Sequence, residues 1–148
     1  MHTVKLSADV TVASQPDLSG FRDIAAEGYV AVINNRPDGE DPAQPGSEAE
    51  ETACEDAGLA YAHIPMGPVT DATVRHFQAV VQGADGPVLV HCRSGTRSAN
   101  LWAIGEVLDG RLSVDDLGPL GRQIGFDLGG AAGWLRQHAA SGAQSPPS

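Results

Sequence analysis

The chain has 148 residues and a net charge of −10 at neutral pH, with abundant alanine and glycine and few aromatics. That length suits one domain with a real core, and that charge argues against nucleic acid or an anionic membrane surface as partner. No apolar run reaches membrane-spanning length, Lys5 is followed by mixed sequence rather than a leader, and two cysteines make no disulfide framework, so a reduced, cytoplasmic setting is expected.

Val4, Leu6, Val10 and Val12 alternate weakly, which reads as one or two short strands between Thr3 and Ser14. Ser14-Gln-Pro-Asp17 reads as a helix opening, because proline suits a first turn and acids favour an N-terminus. Leu18, Phe21, Ile24 and Ala25 form that helix's buried face, and Gly28 stops it. Tyr29 to Ile33 is apolar and β-branched and reads as a central strand. Asn34 to Gly46 is a long loop carrying Pro37, Pro42 and Pro45.

Ser47-Glu-Ala-Glu50 has the spacing of a capping box and starts a helix through Ala57, ended by Gly58. Leu59 to Ile64 is another short strand. After Pro65-Met-Gly-Pro68, Thr70 caps a helix from Asp71 to Gln82 with Val74, Phe77, Val80 and Val81 facing inward. Val88 to Val90 is a buried strand. Ser98 to Leu108 reads as a helix with Leu101, Ile104, Val107 and Leu108 on one face. Ser113-Val-Asp-Asp116 is a second capping box, opening a helix with Leu117, Leu120 and Ile124. A last helix runs near Ala131 to Ala140. Residues 141–148 are polar, contain Pro146-Pro147, and are expected to be a disordered tail behind a single domain over residues 1–140.

Strands alternating with helices imply an α/β fold with a central, mostly parallel sheet flanked by helices, and such sheets place their site at the C-terminal strand ends. Those ends are Asn34-Asn35-Arg36, His63-Ile64-Pro65 and His91-Cys92, all polar after apolar runs. The organising stretch is the last of them. Strand, tight loop Cys92-Arg93-Ser94-Gly95-Thr96-Arg97 and helix N-terminus make an anion cradle, where amides converge and the helix dipole adds partial positive charge. The helix end and Arg97 favour the thiolate and make Cys92 a nucleophile. Arg93, Ser94, Gly95, Thr96 and Ser98 are the candidate substrate or anion-binding residues.

His-Cys-x-x-Gly-x-Arg-Ser after a buried strand resembles the active-site loop of cysteine-dependent tyrosine and dual-specificity phosphatases, shortened by one residue. Those enzymes place the arginine six positions after the cysteine. Here Arg97 stands five positions on and Ser98 takes the sixth. The loop's length resembles that of rhodanese sulfurtransferases instead. Ser14-Gln-Pro16, Val32-Ile-Asn-Asn-Arg-Pro-Asp-Gly-Glu40, His63-Ile-Pro65 and His91 to Ser98 together resemble the beta-lactamase-hydrolase-like family over roughly residues 3 to 130. The resemblance implies a cysteine-phosphatase-like fold and, as partners, sulfide- or persulfide-oxidising enzymes. It also gives His91 a role: hydrogen-bonding the loop in support of the thiolate. A rhodanese-like α/β fold is the alternative, since Asp127-Leu-Gly-Gly-Ala-Ala-Gly-Trp134 echoes a rhodanese segment.

Simpler readings stand beside these. Cys92 could be a small buried hydrophobe, Arg97 could pair with a structural acid, and His91 could be a satisfied core histidine. Cys54, between Glu51 and Glu55, reads as structural. Asn34, Asn35, Arg36 and Asp38 suit a turn, but their strand-end position suggests support of the cysteine loop, as it does more weakly for His63. No cofactor is implied, and isolated His2, His76 and His138 form no metal cluster.

Phosphate ester cleavage needs a general acid for the leaving oxygen. The family's usual aspartate after the Ile-Pro strand end is missing from Met66-Gly-Pro-Val69. Asp71 and Asp38 are the substitutes to consider. Sulfur transfer needs only the thiolate, amides and an arginine, because sulfite leaves unaided. The sequence reading is therefore a covalent-cysteine enzyme acting on a small anionic substrate. Sulfur transfer through a Cys92 persulfide comes first, with Arg97 and His91 in its catalytic apparatus. Phosphomonoester hydrolysis comes second, and a non-catalytic anion- or partner-binding module third.

Overall fold

The computed structural model describes residues 1–142. Five strands form one sheet: β1 (Thr3–Lys5), β2 (Val10–Ala13), β3 (Ala31–Asn34), β4 (Ala60–His63) and β5 (Val88–His91), in spatial order β1-β2-β5-β3-β4. Only β1 runs antiparallel to its neighbour; β2, β5, β3 and β4 pair in parallel. The α/β class and the mostly parallel sheet match the sequence expectation. β5 lies between β2 and β3 and is buried along its whole length, as continuous Val/Leu runs in parallel sheets are.

The described residues contain six α-helices: α1 (Phe21–Ala26), α2 (Ser47–Ala57), α3 (Asp71–Gly83), α4 (Thr96–Leu108), α5 (Leu117–Ile124) and α6 (Gly129–Gly142). The chain divides into two compact units, residues 1–98 and 99 onward. In the first unit, Ala13, Val32 and Leu89 of the sheet form one apolar cluster with Phe21, Ile24, Cys54 and Leu59. Phe21 and Ile24 come from α1 and Cys54 from α2, and all three are fully buried. Each such aliphatic or aromatic side chain contributes about 1.5–3 kcal/mol by leaving water. In the second unit, the Ser113–Asp116 capping box forms as expected, and α5 follows it directly.

Several boundaries differ from the sequence expectation, each for a tertiary reason. Ser14 to Asp17 do not open a helix. Asp17 is extended, a 3-10 turn at Leu18–Gly20 intervenes, and Leu18 is 44% exposed rather than buried. The segment stays extended because the Gln15 amide is held by the Arg93 carbonyl at 3.0 Å. Ser47 does not cap α2. Gly46, at φ 91°, precedes the helix, and the Ser47 amide donates to Asp38 Oδ1 at 2.8 Å. A helix start that recruits an acid from the preceding loop has no need of its own capping box. The rhodanese alternative fails on topology: among the described residues no strand follows β5, and the Asp127–Trp134 echo is the start of α6, with Asp127 Oδ1 accepting from the Gly129 amide. Of the expected disordered tail, residues 141 and 142 belong to α6, and 143–148 lie outside the described residues.

Candidate active site

The C-terminal ends of the parallel strands supply the candidate site. At β5, His91 is followed by Cys92, and three residues later Gly95 adopts φ 104°, a conformation only glycine takes cheaply. That turn sends the Gly95 amide back to donate to Cys92 Sγ at 3.1 Å. The chain then enters α4 at Thr96, two residues earlier than the helical periodicity from Ser98 indicates. The Cys92 side chain is 1% exposed. It is buried, as the simpler reading held, but it touches a donor, which a mere space-filling thiol does not require.

Arg97 lies in the first turn of α4. Its guanidinium forks onto Glu40, Nη1 to Oε2 at 2.6 Å and Nη2 to Oε1 at 2.8 Å. Its charge is held in place chiefly by that carboxylate, and the Cys92 sulfur adds a smaller hydrogen-bonding and Coulombic attraction. Arg97 therefore spans the cysteine and the loop after β3. Arg36, 4% exposed, sends Nε to Glu40 Oε1 at 3.0 Å and Nη1 to Gln15 Oε1 at 3.1 Å. Hydrogen bonds from Arg97 and Arg36 hold the Glu40 carboxyl down to about 2. Glu40 was absent from the sequence-based candidates. It sat at the end of the Asn-Asn-Arg-Pro-Asp-Gly-Glu segment, whose turn-forming composition masked it.

His91 is completely buried. Its Nδ1 lies 3.1 Å from the Cys92 carbonyl and its Nε2 lies 2.6 Å from Glu50 Oε1. Glu50, 1% exposed, also accepts from Gln15 Nε2 at 3.2 Å and Asn34 Nδ2 at 3.3 Å through Oε2. The other Asn34 Nδ2 proton meets the Tyr61 hydroxyl at 3.1 Å, and Asn34 Oδ1 accepts the Arg36 amide at 2.8 Å. Glu50 and Gln15 were likewise missed. A usable signal existed for Glu50, because it shares the inward face of α2 with Cys54 four residues on.

Asn35 ties the loop's far end to the sheet. Its Oδ1 accepts from the Ser98 hydroxyl at 2.8 Å, and its Nδ2 donates to the Ile64 carbonyl at 2.9 Å. Its own amide meets the His91 carbonyl at 2.7 Å. His63 Nε2 lies 2.8 Å from the Arg36 carbonyl. Asn34, Asn35, Arg36, His63, His91, Cys92, Arg97 and Ser98 are thus joined by one network. Arg93 and Ser94 are exposed on the loop, with the Ser94 hydroxyl 3.3 Å from that of Thr96. The two general-acid candidates stand differently. Asp38 is engaged by the α2 amide of Ser47, and Asp71 is the exposed first residue of α3.

Such an arrangement can hold a thiolate at a loop floor, bind an anion on backbone amides, and orient one guanidinium beside the sulfur. No helix among the described residues is long and apolar enough to cross a membrane.

A family model described as "Beta-lactamase hydrolase-like protein, phosphatase-like domain" matches residues 3–109. A beta-lactamase hydrolase-like protein of Agrobacterium fabrum is 42% identical over 143 residues, covering 95% of this chain and 33% of that protein. The chain therefore spans about one third of the length of the curated relatives it matches. A Neisseria meningitidis protein provisionally described as a phosphatase superposes with a TM-score of 0.79 at 28% identity, covering 89% of this chain and 94% of that one. The P. aeruginosa protein TpbA, solved in complex with phosphotyrosine, gives a TM-score of 0.58 at 17% identity over 77% of this chain and 67% of that one, a likeness of fold alone. The fold is that of the cysteine-dependent phosphatases.

Proposed function

The chain belongs to the phosphatase-like domain family of beta-lactamase hydrolase-like proteins, and from that premise we propose that it is a covalent-cysteine hydrolase of phosphomonoesters. One observation carries the reading: the Gly95 amide on Cys92 Sγ at 3.1 Å, in a loop joining a buried parallel strand to a helix N-terminus. The Cys92 thiolate attacks phosphorus, and the bond to the leaving oxygen breaks with its electron pair on that oxygen. Water then attacks the phosphocysteine, the S–P bond breaks, and inorganic phosphate departs with the thiolate restored. Loop N–H groups and Arg97 take up the charge on the phosphoryl oxygens.

The substrate class follows from the missing acid. Residues 66–69 contain no carboxylate, and Asp38 is engaged by α2. A leaving group that departs as a stable anion suits this site, so aryl phosphates are favoured over alkyl phosphates.

Sulfur transfer, first on sequence grounds, becomes the second reading, because the family and the fold favour phosphate. It keeps one specific support. Arg97 stands five positions after Cys92 and spends both Nη atoms on Glu40, leaving less of its fork for a three-oxygen group. In that reaction Cys92 attacks the outer sulfur of thiosulfate, the S–S bond breaks, and sulfite leaves with the electron pair, giving a persulfide. Enzymes that oxidise sulfide or persulfides would then be the partners.

The test is phosphate release from an aryl phosphate by wild type and Cys92→Ser, alongside intact mass after thiosulfate. The expected result is Cys92-dependent hydrolysis without sulfur uptake. A gain of one sulfur with no hydrolysis would establish the second reading instead. Anion binding with neither reaction would leave a non-catalytic module.

A further inference from the structure

We infer that Glu50 is a positioning residue that keeps His91 protonated on both ring nitrogens, placing a buried imidazolium directly behind Cys92. The inference rests on Cys92 being the nucleophile of the proposed reaction, and it assigns a task to a buried acid that the reaction itself does not touch.

Donors and acceptors around the ring place its protons. His91 Nδ1 faces the Cys92 carbonyl, which can only accept, so Nδ1 carries a proton. Nε2 faces Glu50 Oε1 at 2.6 Å, and one proton must lie between them. The surroundings decide which partner keeps it. Glu50 Oε2 faces two amide nitrogens, Gln15 Nε2 and Asn34 Nδ2. Neither amide can turn its oxygen to Glu50 instead. Gln15 Oε1 is occupied by the donor-only Arg36 guanidinium, and Asn34 Oδ1 by the Arg36 amide. Glu50 therefore receives two fixed N–H groups on one oxygen, and hydrogen bonds to the charged form hold a carboxyl ionised. The proton stays on His91.

Other groups near the pair do not supply a competing proton. Tyr61 contacts Asn34, and Cys54 lies one turn along α2. Both are pushed up to about 12, chiefly by burial and in part by the Glu50 charge. Both stay neutral near physiological pH. Arg36 reaches the pair only through Gln15 and Asn34. The imidazolium therefore stands against the Cys92 carbonyl, with Nδ1 at 3.1 Å. It favours the thiolate and pins the carbonyl on the side away from the Gly95 amide that meets the sulfur.

The same donor pattern predicts how Glu50→Gln behaves. Gln15 and Asn34 require an oxygen opposite them, so the new amide must present its NH2 to His91. His91 Nε2 must then accept, and the ring becomes neutral with every hydrogen bond still made. Fifteen-nitrogen NMR of histidine-labelled protein, with His91→Asn used for assignment, reads the ring directly. Iodoacetamide labelling of Cys92 from pH 5 to 9 reads the consequence.

In wild type, both His91 nitrogens are expected to be protonated at pH 7.5. In Glu50→Gln only Nδ1 keeps its proton, and labelling at pH 6 slows about three- to tenfold while converging with wild type at pH 9. A singly protonated His91 in wild type overturns the inference, whether or not the variant folds. So does a folded Glu50→Gln whose labelling profile matches wild type. Neither measurement uses a phosphate ester. A wild type that fails to cleave aryl phosphates would remove the hydrolase reading and leave this result standing.

Discussion

Arg97 and Glu40 stand 57 residues apart in sequence and meet through two parallel N–H···O bonds of 2.6 and 2.8 Å. The pair links the first turn of α4 to the loop after β3, so the orientation of the guanidinium beside Cys92 depends on a residue from another element. Arg36 approaches the same carboxylate from its own loop. Two cations on one acid leave the cluster with a net positive charge, which suits an anionic substrate.

Titration of Glu40 tests that link. Its carboxyl falls from 4.5 to about 2, the Arg97 hydrogen bond being the largest cause, with Arg36 adding to it. A depressed carboxyl contributes its stabilisation above its unfolded value of 4.5, and that contribution is lost as pH falls through about 2. Carboxyl-carbon NMR should therefore find Glu40 still ionised at pH 3.5. In Arg97→Ala its midpoint should move back towards 4.5. A wild-type midpoint already near 4.5 would mean that the fork does not persist in solution.

The two cysteines should separate cleanly by chemistry. Both are buried, yet Cys92 faces an amide and an arginine, whereas Cys54 faces apolar side chains and two acids. Burial first, then Glu50 and Glu51, push the Cys54 thiol up to about 12, so it remains S–H throughout pH 7 to 9. Native protein at pH 7.5 is expected to take up one iodoacetamide, mapped to Cys92, and a second only in denaturant. Equal native labelling of Cys54 would contradict the contrast in their surroundings.

What the sequence made legible follows from which residues act locally. The strands 31–34 and 88–91 show as bounded β-branched runs, α3 shows by Thr70 and its inward face, and the loop shows by the Cys-to-Ser98 spacing. Polar strand ends pointed to the residues that the structure brings together at Cys92. Glu50 was hidden because Ser-x-x-Glu before an apolar run is equally the pattern of a capping box. Its place beside Cys54 on the inward face of α2 was the one local sign, and its partners His91, Gln15 and Asn34 all come from other segments. Gln15 was read as part of a helix opening, but its backbone is held by Arg93 and its side chain by Arg36 and Glu50. Partners that distant leave no periodicity for a local reading to detect.

Asp38 offers a direct comparison of structural and catalytic roles. Its Oδ1 accepts the Ser47 amide at 2.8 Å and so ends the N-terminus of α2. Asp38→Ala should lower stability by about 0.5–2 kcal/mol, as loss of a helix-end acceptor does. Urea unfolding measures that change. Aryl phosphate turnover per folded molecule should be unchanged, because the acid is spent on the helix. A tenfold fall in turnover with folding intact would instead make Asp38 the proton donor for the leaving oxygen.

Ser98 carries the last prediction. Its hydroxyl is fully buried and donates to Asn35 Oδ1 at 2.8 Å. Asn35 cannot relieve the loss by rotating, because its Nδ2 is committed to the Ile64 carbonyl at 2.9 Å. Ser98→Ala therefore leaves a buried carbonyl oxygen without its donor, at a cost of about 1–3 kcal/mol. That is a large share of the roughly 5–15 kcal/mol by which domains are stable. The same bond fixes the turn of α4 on which Arg97 stands, so KM for an aryl phosphate should rise more than kcat falls. Removing both partners should be milder than the sum, since Asn35→Ala removes the orphaned oxygen. Unfolding of the two single variants and the double variant in urea gives the coupling directly. A coupling near zero would show that the bond between Ser98 and Asn35 does not support the loop.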